Sequence, residues 1–372
     1  MRIAYLTHSL ASCWNHGNAH FIRGLARALT AEGHDVLILE PRDAWSRVNL
    51  VANHGESALD EFRRVYPDLK STTYETPEAA LAAASGAELV IVHEWTDPGV
   101  VAAFNRARSR GGAFRLLFHD THHRAVSEPK AMRAYDLDAF DGVLAFGESL
   151  AEVYRGWGWG RQVHVWHEAA DVTVFRPLPS DTPREGLVWV GNWGDGERTQ
   201  ELKDYLLQPA QAAGLPLEVH GVRYPGEARR LLQGFGARYG GWLANARAPA
   251  VYAAHLATVH VPRRFYVERL PGIPTIRVFE ALACGIPLAS APWRDEEGLF
   301  APGEDFLVAR TPQEMTARLR ELKSDEGLRR ALSESGLGRI RSRHTCAHRA
   351  AELMAIVDDL NLQPLRTGAA LA

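Results

Sequence analysis

Cysteine is scarce in this chain. The three present in 372 residues, Cys13, Cys284 and Cys346, are odd in number and far apart. That excludes a disulfide framework and fits reduced thiols in a cytosolic protein. No stretch offers ~18 consecutive apolar residues, which excludes a membrane-spanning helix. Neither sign of charge dominates: the formal net charge is −3, so no overall field draws nucleic acid, and no nucleic-acid partner is expected. The opening "MRIAYLTHSL" lacks a charged region followed by a long apolar one. It reads as a strand rather than a signal peptide, and a cytoplasmic location is expected. No internal sequence repeat is visible.

What is present is ordinary globular material, 46% apolar and 23% charged. At about 150 residues per domain, the length implies two or three domains. The first forty residues predict a strand at 3–7, a polar loop at 8–18, a helix over about 20–31 and a second strand at 36–40. The helix repeats Phe21, Leu25, Ala28 and Leu29 on one face, and Gly33 is its expected left-handed cap. Such a βαβ opening builds a parallel sheet. "AELVIVHEW" (87–95), "RLLFH" (115–119), "DGVLAF" (141–146) and "QVHVW" (162–166) continue the alternation.

A proline-rich stretch, "RPLPSDTPREG", then marks a linker over 176–186. A second alternation follows: strands at 186–191, 217–221, 256–261 and 286–290, and helices at 199–213, 276–284 and 311–323. The expected fold is α/β, with two doubly wound Rossmann-like domains over 1–175 and 187–360. The last helices are expected to pack back on the first domain, and 361–372 reads as a loose tail. Ligands of such sheets sit at the carboxyl ends of strands, so the cleft between domains is the expected site.

The most informative stretch is "IPTIRVFEALACGIPLAS", residues 273–290. Thr275 is the expected N-cap, its hydroxyl satisfying an early amide. The Arg277 and Val278 amides would then form an anion site at the positive helix end. Glu280 lies one turn inside, where a carboxylate would accept bonds from ribose hydroxyls. The plainer reading is an amphipathic helix with one exposed glutamate.

This stretch resembles the carboxyl-domain motif of the glycosyltransferase group 1 enzymes, the nucleotide-sugar-dependent transferases of GT-B fold. The wording "RVFEALACG" is most similar to the branch containing spore-maturation glycosyltransferase-like proteins. "HGNAHFIRGLARALTAEGHDV" (16–36) resembles the family's glycine loop and first helix. "HEAADVTVFRP" (167–177), "LVWVG" (187–191) and "LFAPGEDFLVARTPQEMTARLREL" (299–322) resemble later segments in the same order. There are departures too. The second glutamate of retaining members falls on Gly272, the glycine pair is reduced to Gly17 beside His16, and an expected arginine is Asn192. Arg198 stands where the family has its phosphate-binding lysine.

The resemblance implies a metal-independent glycosyltransferase with no cofactor beyond its substrate, a nucleotide-diphosphate sugar, and an unidentified acceptor. Gly17, Arg198, Arg277, Val278 and Glu280 would bind the donor, with Arg263 and Arg264 as further phosphate contacts. The alternatives are a GT-B sugar-nucleotide epimerase or hydrolase, and a non-catalytic nucleotide-sugar-binding partner.

Other signals have plainer readings. "DLD" at Asp136–Asp138 reads as a solvated turn, and "GWGWG" (156–160) as a helix stop with Trp157 and Trp159 packing. Cys284 reads as a small apolar residue. Arg106, Arg108 and Arg110 read as a solvated helix end in preference to a contact with anionic lipid, so peripheral membrane attachment is not favoured.

"RLLFHDTHHRAV" (115–126) gathers His119, His122 and His123 around Asp120. Zinc would need three or four converging ligands, which one short loop reaches only by a contorted path, so no metal is expected. His119–Asp120 is similar to the pair with which the family ends this strand beside the donor sugar. His119 is therefore expected to touch the transferred sugar or orient the acceptor. Asp120 is the expected base if the reaction inverts configuration. The plainer reading is a polar strand end.

Overall fold

The computed structural model describes residues 1–179, 183–194 and 196–362. The chain forms two compact units, one of residues 1–168 with 346–372 and the other of residues 169–345. Most of the expected loose tail, residues 363–372, lies outside the described residues, as do residues 180–182 of the expected linker. The division falls after Glu168, several residues before the proline-rich stretch. Ala170 already belongs to the second unit, where its amide donates to the His344 carbonyl at 2.9 Å.

The first unit is built on a seven-stranded parallel sheet: β1 (Arg2–Leu6), β2 (Asp35–Pro41), β3 (Ser71–Tyr74), β4 (Leu89–His93), β5 (Arg115–Asp120), β6 (Gly142–Ala145) and β7 (Val163–Val165). Their spatial order is β3-β2-β1-β4-β5-β6-β7, so the winding reverses between β1 and β4. The central strands are apolar because helices cover both sheet faces; β4 is buried at all its positions. Helix Ala19–Ala31 lies under this sheet. Its cap follows the sequence: Gly33 sits at φ +87°, a conformation that costs glycine nothing. The final helix, Cys346–Asn361, packs in this unit, where the Trp166 indole donates to the Arg349 carbonyl at 2.9 Å.

The second unit has a six-stranded parallel sheet: β8 (Leu187–Val190), β9 (Leu217–His220), β10 (Arg238–Gly241), β11 (Ala257–His260), β12 (Leu288–Ser290) and β13 (Leu307–Val308). Its order is β10-β9-β8-β11-β12-β13, with the reversal between β8 and β11. The helix expected over 199–213 runs unbroken from Thr199 to Ala212. Its middle, Lys203–Leu207, is a π turn between α-helical Thr199–Leu202 and Gln208–Ala212. Pro209 has no N–H and would crowd the carbonyl of Tyr205, so the regular ladder shifts there. No helix among the described residues is long and apolar enough to cross a membrane.

Two of the plainer readings hold. Asp136 and Asp138 form an exposed turn, with the Asp138 amide on Asp136 Oδ1 at 3.2 Å. Helix Glu148–Trp157 stops at Gly158, φ +63°, and Trp157 and Trp159 pack around Tyr154. The arginine cluster differs from expectation at its middle member. Arg108 is buried and grips Asp141 with two bonds, at 3.2 and 3.0 Å. Asp141 also accepts from Arg115 at 3.4 Å. Arg108 lies on the inner face of helix Pro98–Ser109, and a charge taken from water there requires a partner. Replacing Asp141 with Ala strands two buried guanidinium groups. Asp141→Ala should lower the unfolding free energy by roughly 3–5 kcal/mol, read from urea titrations at neutral pH.

Candidate functional site

In the second unit, the loops leaving β8 and β11 flank the point of reversal, where doubly wound sheets bind ligands. Arg198 is buried in this crevice. Its guanidinium donates to the Val261 carbonyl at 2.7 Å and the Asn192 carbonyl at 2.5 Å, and lies over the Trp189 ring. Its Nε has no partner, and among the described residues no carboxylate forms an ion pair with it. Burial, and next the nearby Arg263, lower its pKa to about 10, so it remains a cation at neutral pH. Gly194 makes room: at φ +89°, an added Cβ would sit 2.9 Å from Arg198 Nε.

Arg263 shares the crevice and donates to Glu197 at 2.7 Å. The Glu197 charge also acts on Arg198. Arg264 is placed differently from expectation. It pairs with Glu201 on the exposed surface, with its own amide on Glu197 at 3.1 Å.

Helix Ile276–Ala283 begins beside β11, and here three expectations are corrected. Thr275 is the N-cap, but its hydroxyl caps no amide and lies 3.4 Å from His260 Nε2. The Val278 amide, expected open for an anion, donates to the Thr275 carbonyl at 3.0 Å. Glu280, expected to accept bonds from ribose hydroxyls and exposed in the plainer reading, is wholly buried and bonded to Arg277, which is engaged in turn. The helix is buried on nearly every face, so its carboxylate is desolvated and takes the cation one turn earlier. His260, bonded to Ser290 Oγ at 3.0 Å, is pushed down to about 3 by burial and then by Arg198, and is neutral.

In the first unit, His119 and Asp120 end β5 and both are buried. His119 Nδ1 meets the Tyr5 hydroxyl at 2.5 Å, and its ring lies 4.8 Å from Trp166. Its Nε2 has no partner. Burial, followed by His93, holds its pKa well below the usual histidine range. Asp120 accepts from the Tyr154 hydroxyl and from the His122 amide at 2.7 Å. Burial, then the Glu94 charge, push its carboxyl well above the ordinary range. That environment favours the neutral acid, whereas the expected role as a base needs the carboxylate form. His119, His122 and His123 do not converge as metal ligands; among the described residues no group of three or more His, Cys, Asp or Glu does.

The reversal between β1 and β4 holds residues that the sequence reading passed over. His93 and Glu94 are both fully buried, Nδ1 to Oε2 2.6 Å apart. His93 Nε2 lies 3.2 Å from Thr121 Oγ1, which also accepts from Asn18. His16 stands beside them, its ring 6.4 Å from that of His93, and Gly17 leads into helix Ala19–Ala31. The available signal was position: in "AELVIVHEW" a histidine and a glutamate follow an apolar strand at its carboxyl end.

Residues 198–355 match the model of a family described as glycosyl transferase-like. No curated protein matches the chain. Among solved structures, sucrose-phosphate synthase from Thermosynechococcus elongatus is 17% identical with a TM-score of 0.65, covering 97% of this chain and 99% of that one. HepE of Anabaena, solved with UDP and glucose, is 14% identical with a TM-score of 0.67, over 96% and 100%. An α-glucosyltransferase solved with UDP and DNA is 12% identical with a TM-score of 0.68, over 96% and 99%. The fold is GT-B.

Within this GT-B chain, the departure at Gly272 is built into the backbone. Gly272 sits at φ +88°, and an added Cβ would press on Glu296 at 3.3 Å. A glutamate there would be strained as well as crowded.

Asp120 sets a pH dependence whose sign follows from its raised pKa. Above the ordinary value of 3.8, the unfolded chain has released this proton while the folded chain still holds it. Stability therefore falls as pH rises from about 4 toward the raised folded value. Asp120→Asn keeps an acceptor for Tyr154 and removes the titration. Urea midpoints measured between pH 4 and 8 should decline more steeply in the wild type than in the variant.

Proposed function

We propose that this protein transfers a glycosyl group from a nucleotide-diphosphate sugar to an acceptor, without a metal. The observation that carries this reading is Arg198, a buried cation at the reversal of the second sheet whose hydrogen bonds among the described residues go to neutral carbonyls. Such a charge is compensated by an anionic ligand, and Arg263 beside it adds a second donor. Glycosyl transfer loads negative charge onto a departing diphosphate, and fixed cations stabilise that charge without reorganising. The family match begins at this same arginine, and the solved relatives with UDP share the fold.

Further residues take their roles from this reading. Glu280 holds Arg277 at the amino end of its helix, so its effect on donor ribose or phosphate is routed through that pair. His119 is proposed to line the transferred sugar through its free Nε2. Membership of the spore-maturation-like branch rests on "RVFEALACG", and a cytoplasmic location on composition.

Arg198→Ala should weaken UDP by roughly 10–100-fold and uridine by less than about threefold, the scale of one charge-assisted hydrogen-bonding group. Calorimetric titration of both ligands checks this, and equal losses for the two would contradict it. A panel of UDP-, GDP-, TDP- and ADP-sugars, each with and without candidate acceptors, tests the reaction. Acceptor-dependent turnover supports transfer. Free sugar or an isomer alone would indicate a hydrolase or epimerase, and binding without turnover a non-catalytic partner.

A further inference from the structure

The carboxyl end of the second sheet carries a hydrogen-bond chain whose direction can be worked out atom by atom. His260 ends β11 and Ser290 ends β12, paired in register, and both are buried. The Ser290 hydroxyl lies 2.8 Å from the Ala291 carbonyl, which can only accept, so its one proton goes there. Toward His260 Nδ1, 3.0 Å away, Ser290 Oγ therefore accepts, and Nδ1 carries the hydrogen. His260 is neutral, pushed down to about 3 by burial and then by Arg198, and a neutral imidazole has a single N–H. Its Nε2 is left as a lone pair. The group opposite is the Thr275 hydroxyl at 3.4 Å, which must be the donor. Long contacts of this kind tighten when a substrate seats.

Thr275 is the N-cap of helix Ile276–Ala283, and an N-cap threonine ordinarily turns its oxygen onto the N2 or N3 amide. Here it caps no amide, and its hydroxyl faces the strand end instead. The segment before it is fixed to the same ring. Trp293 packs edge-on to His260 at 6.4 Å, and its indole donates to the Ile273 carbonyl at 3.2 Å. The helix's own side-chain oxygen is thereby kept off its positive end. A second observation at this strand end calls for an anion. Arg198, more than nine-tenths buried, donates to the carbonyl of Val261, the residue after His260, and its Nε has no partner. A threonine oxygen turned back onto the helix would put a lone pair where the oxygens of that anion bind.

We propose that His260 is a positioning residue for the donor: by drawing off the Thr275 hydroxyl, it keeps the amino end of helix Ile276–Ala283 open to a diphosphate gathered by Arg198. The proposal rests on the glycosyl-transfer reading and adds a residue that touches no substrate and acts through Thr275.

Titration calorimetry with UDP and uridine tests it, with Arg198→Ala measured in parallel. His260→Leu releases the threonine to cap its helix. It should weaken UDP by roughly tenfold, the worth of one N-cap, while uridine changes by less than about threefold. Thr275→Val has no oxygen to return, so it should bind UDP within about threefold of wild type, and adding it to His260→Leu should recover that affinity. A histidine with a merely structural role would not be rescued by the loss of a hydroxyl. His260→Gln keeps an acceptor and should also hold UDP. In two-bond proton–nitrogen correlation spectra at neutral pH, the imidazole signal lost in His260→Gln should belong to a ring protonated at Nδ1. The role is overturned if His260→Leu binds UDP as wild type does, or if the double variant stays as weak as His260→Leu. Loss of UDP by Thr275→Val alone, or a ring protonated at Nε2, would overturn it too, and these two results decide if His260→Leu does not fold. UDP lost in Arg198→Ala but not in His260→Leu would leave the donor reading standing without this role. UDP bound by wild type no more tightly than uridine would remove both.

Discussion

Burial of Glu40 is the constraint on which the first unit's site edge depends. This carboxylate ends β2 with no solvent contact, and a desolvated charge is tolerable only with several donors. It obtains them from the loop that leaves β1: Ser9 Oγ at 2.8 Å and the Leu10 amide at 2.7 Å. Ser71 of β3 adds a third at 2.6 Å. Arg23 binds the same loop from the helix side, through the Leu10 and Ala11 carbonyls. A loop held at so many backbone points presents His8, His16 and Gly17 from a fixed frame, which is what a site needs.

The two units handle charge in opposite ways at equivalent places in their sheets. At the reversal of the second sheet a cation is buried among carbonyls and stays charged. At the reversal of the first, imidazoles are buried close together, and their mutual repulsion with desolvation keeps them uncharged. One edge keeps a fixed positive charge and the other is neutral. The same topology can hold both because the sheet supplies only the place, and the loops supply the chemistry.

Legibility in the sequence followed burial. Strands that run through the middle of a sheet, such as β4 and β5, announce themselves as apolar runs. The edge strands β3, "STTY", and β10, "RYGG", carry no period to read and were missed. Helix Ile276–Ala283 was visible with its boundaries, but not the direction of Glu280, because an apolar stripe this broad leaves no outer face for the carboxylate. Arg108 misled for the same reason: the linear sequence shows a cluster of arginines and not the Asp141 that waits across the fold. The His93–Glu94 pair was legible by position alone and needed the rule that strand ends carry function.

The last helix has a consequence for synthesis. Residues 346–361 cover the first unit, against helix Ala19–Ala31, where Cys346 Sγ reaches the Phe21 carbonyl. Yet the whole second unit is translated between them. The second unit is therefore complete while the first still lacks a wall, and residues such as Phe21 and Trp166 wait uncovered on the ribosome. The domain begun first is finished last. Its exposed apolar face during that interval makes the nascent chain, rather than the mature one, the form most prone to chaperone capture.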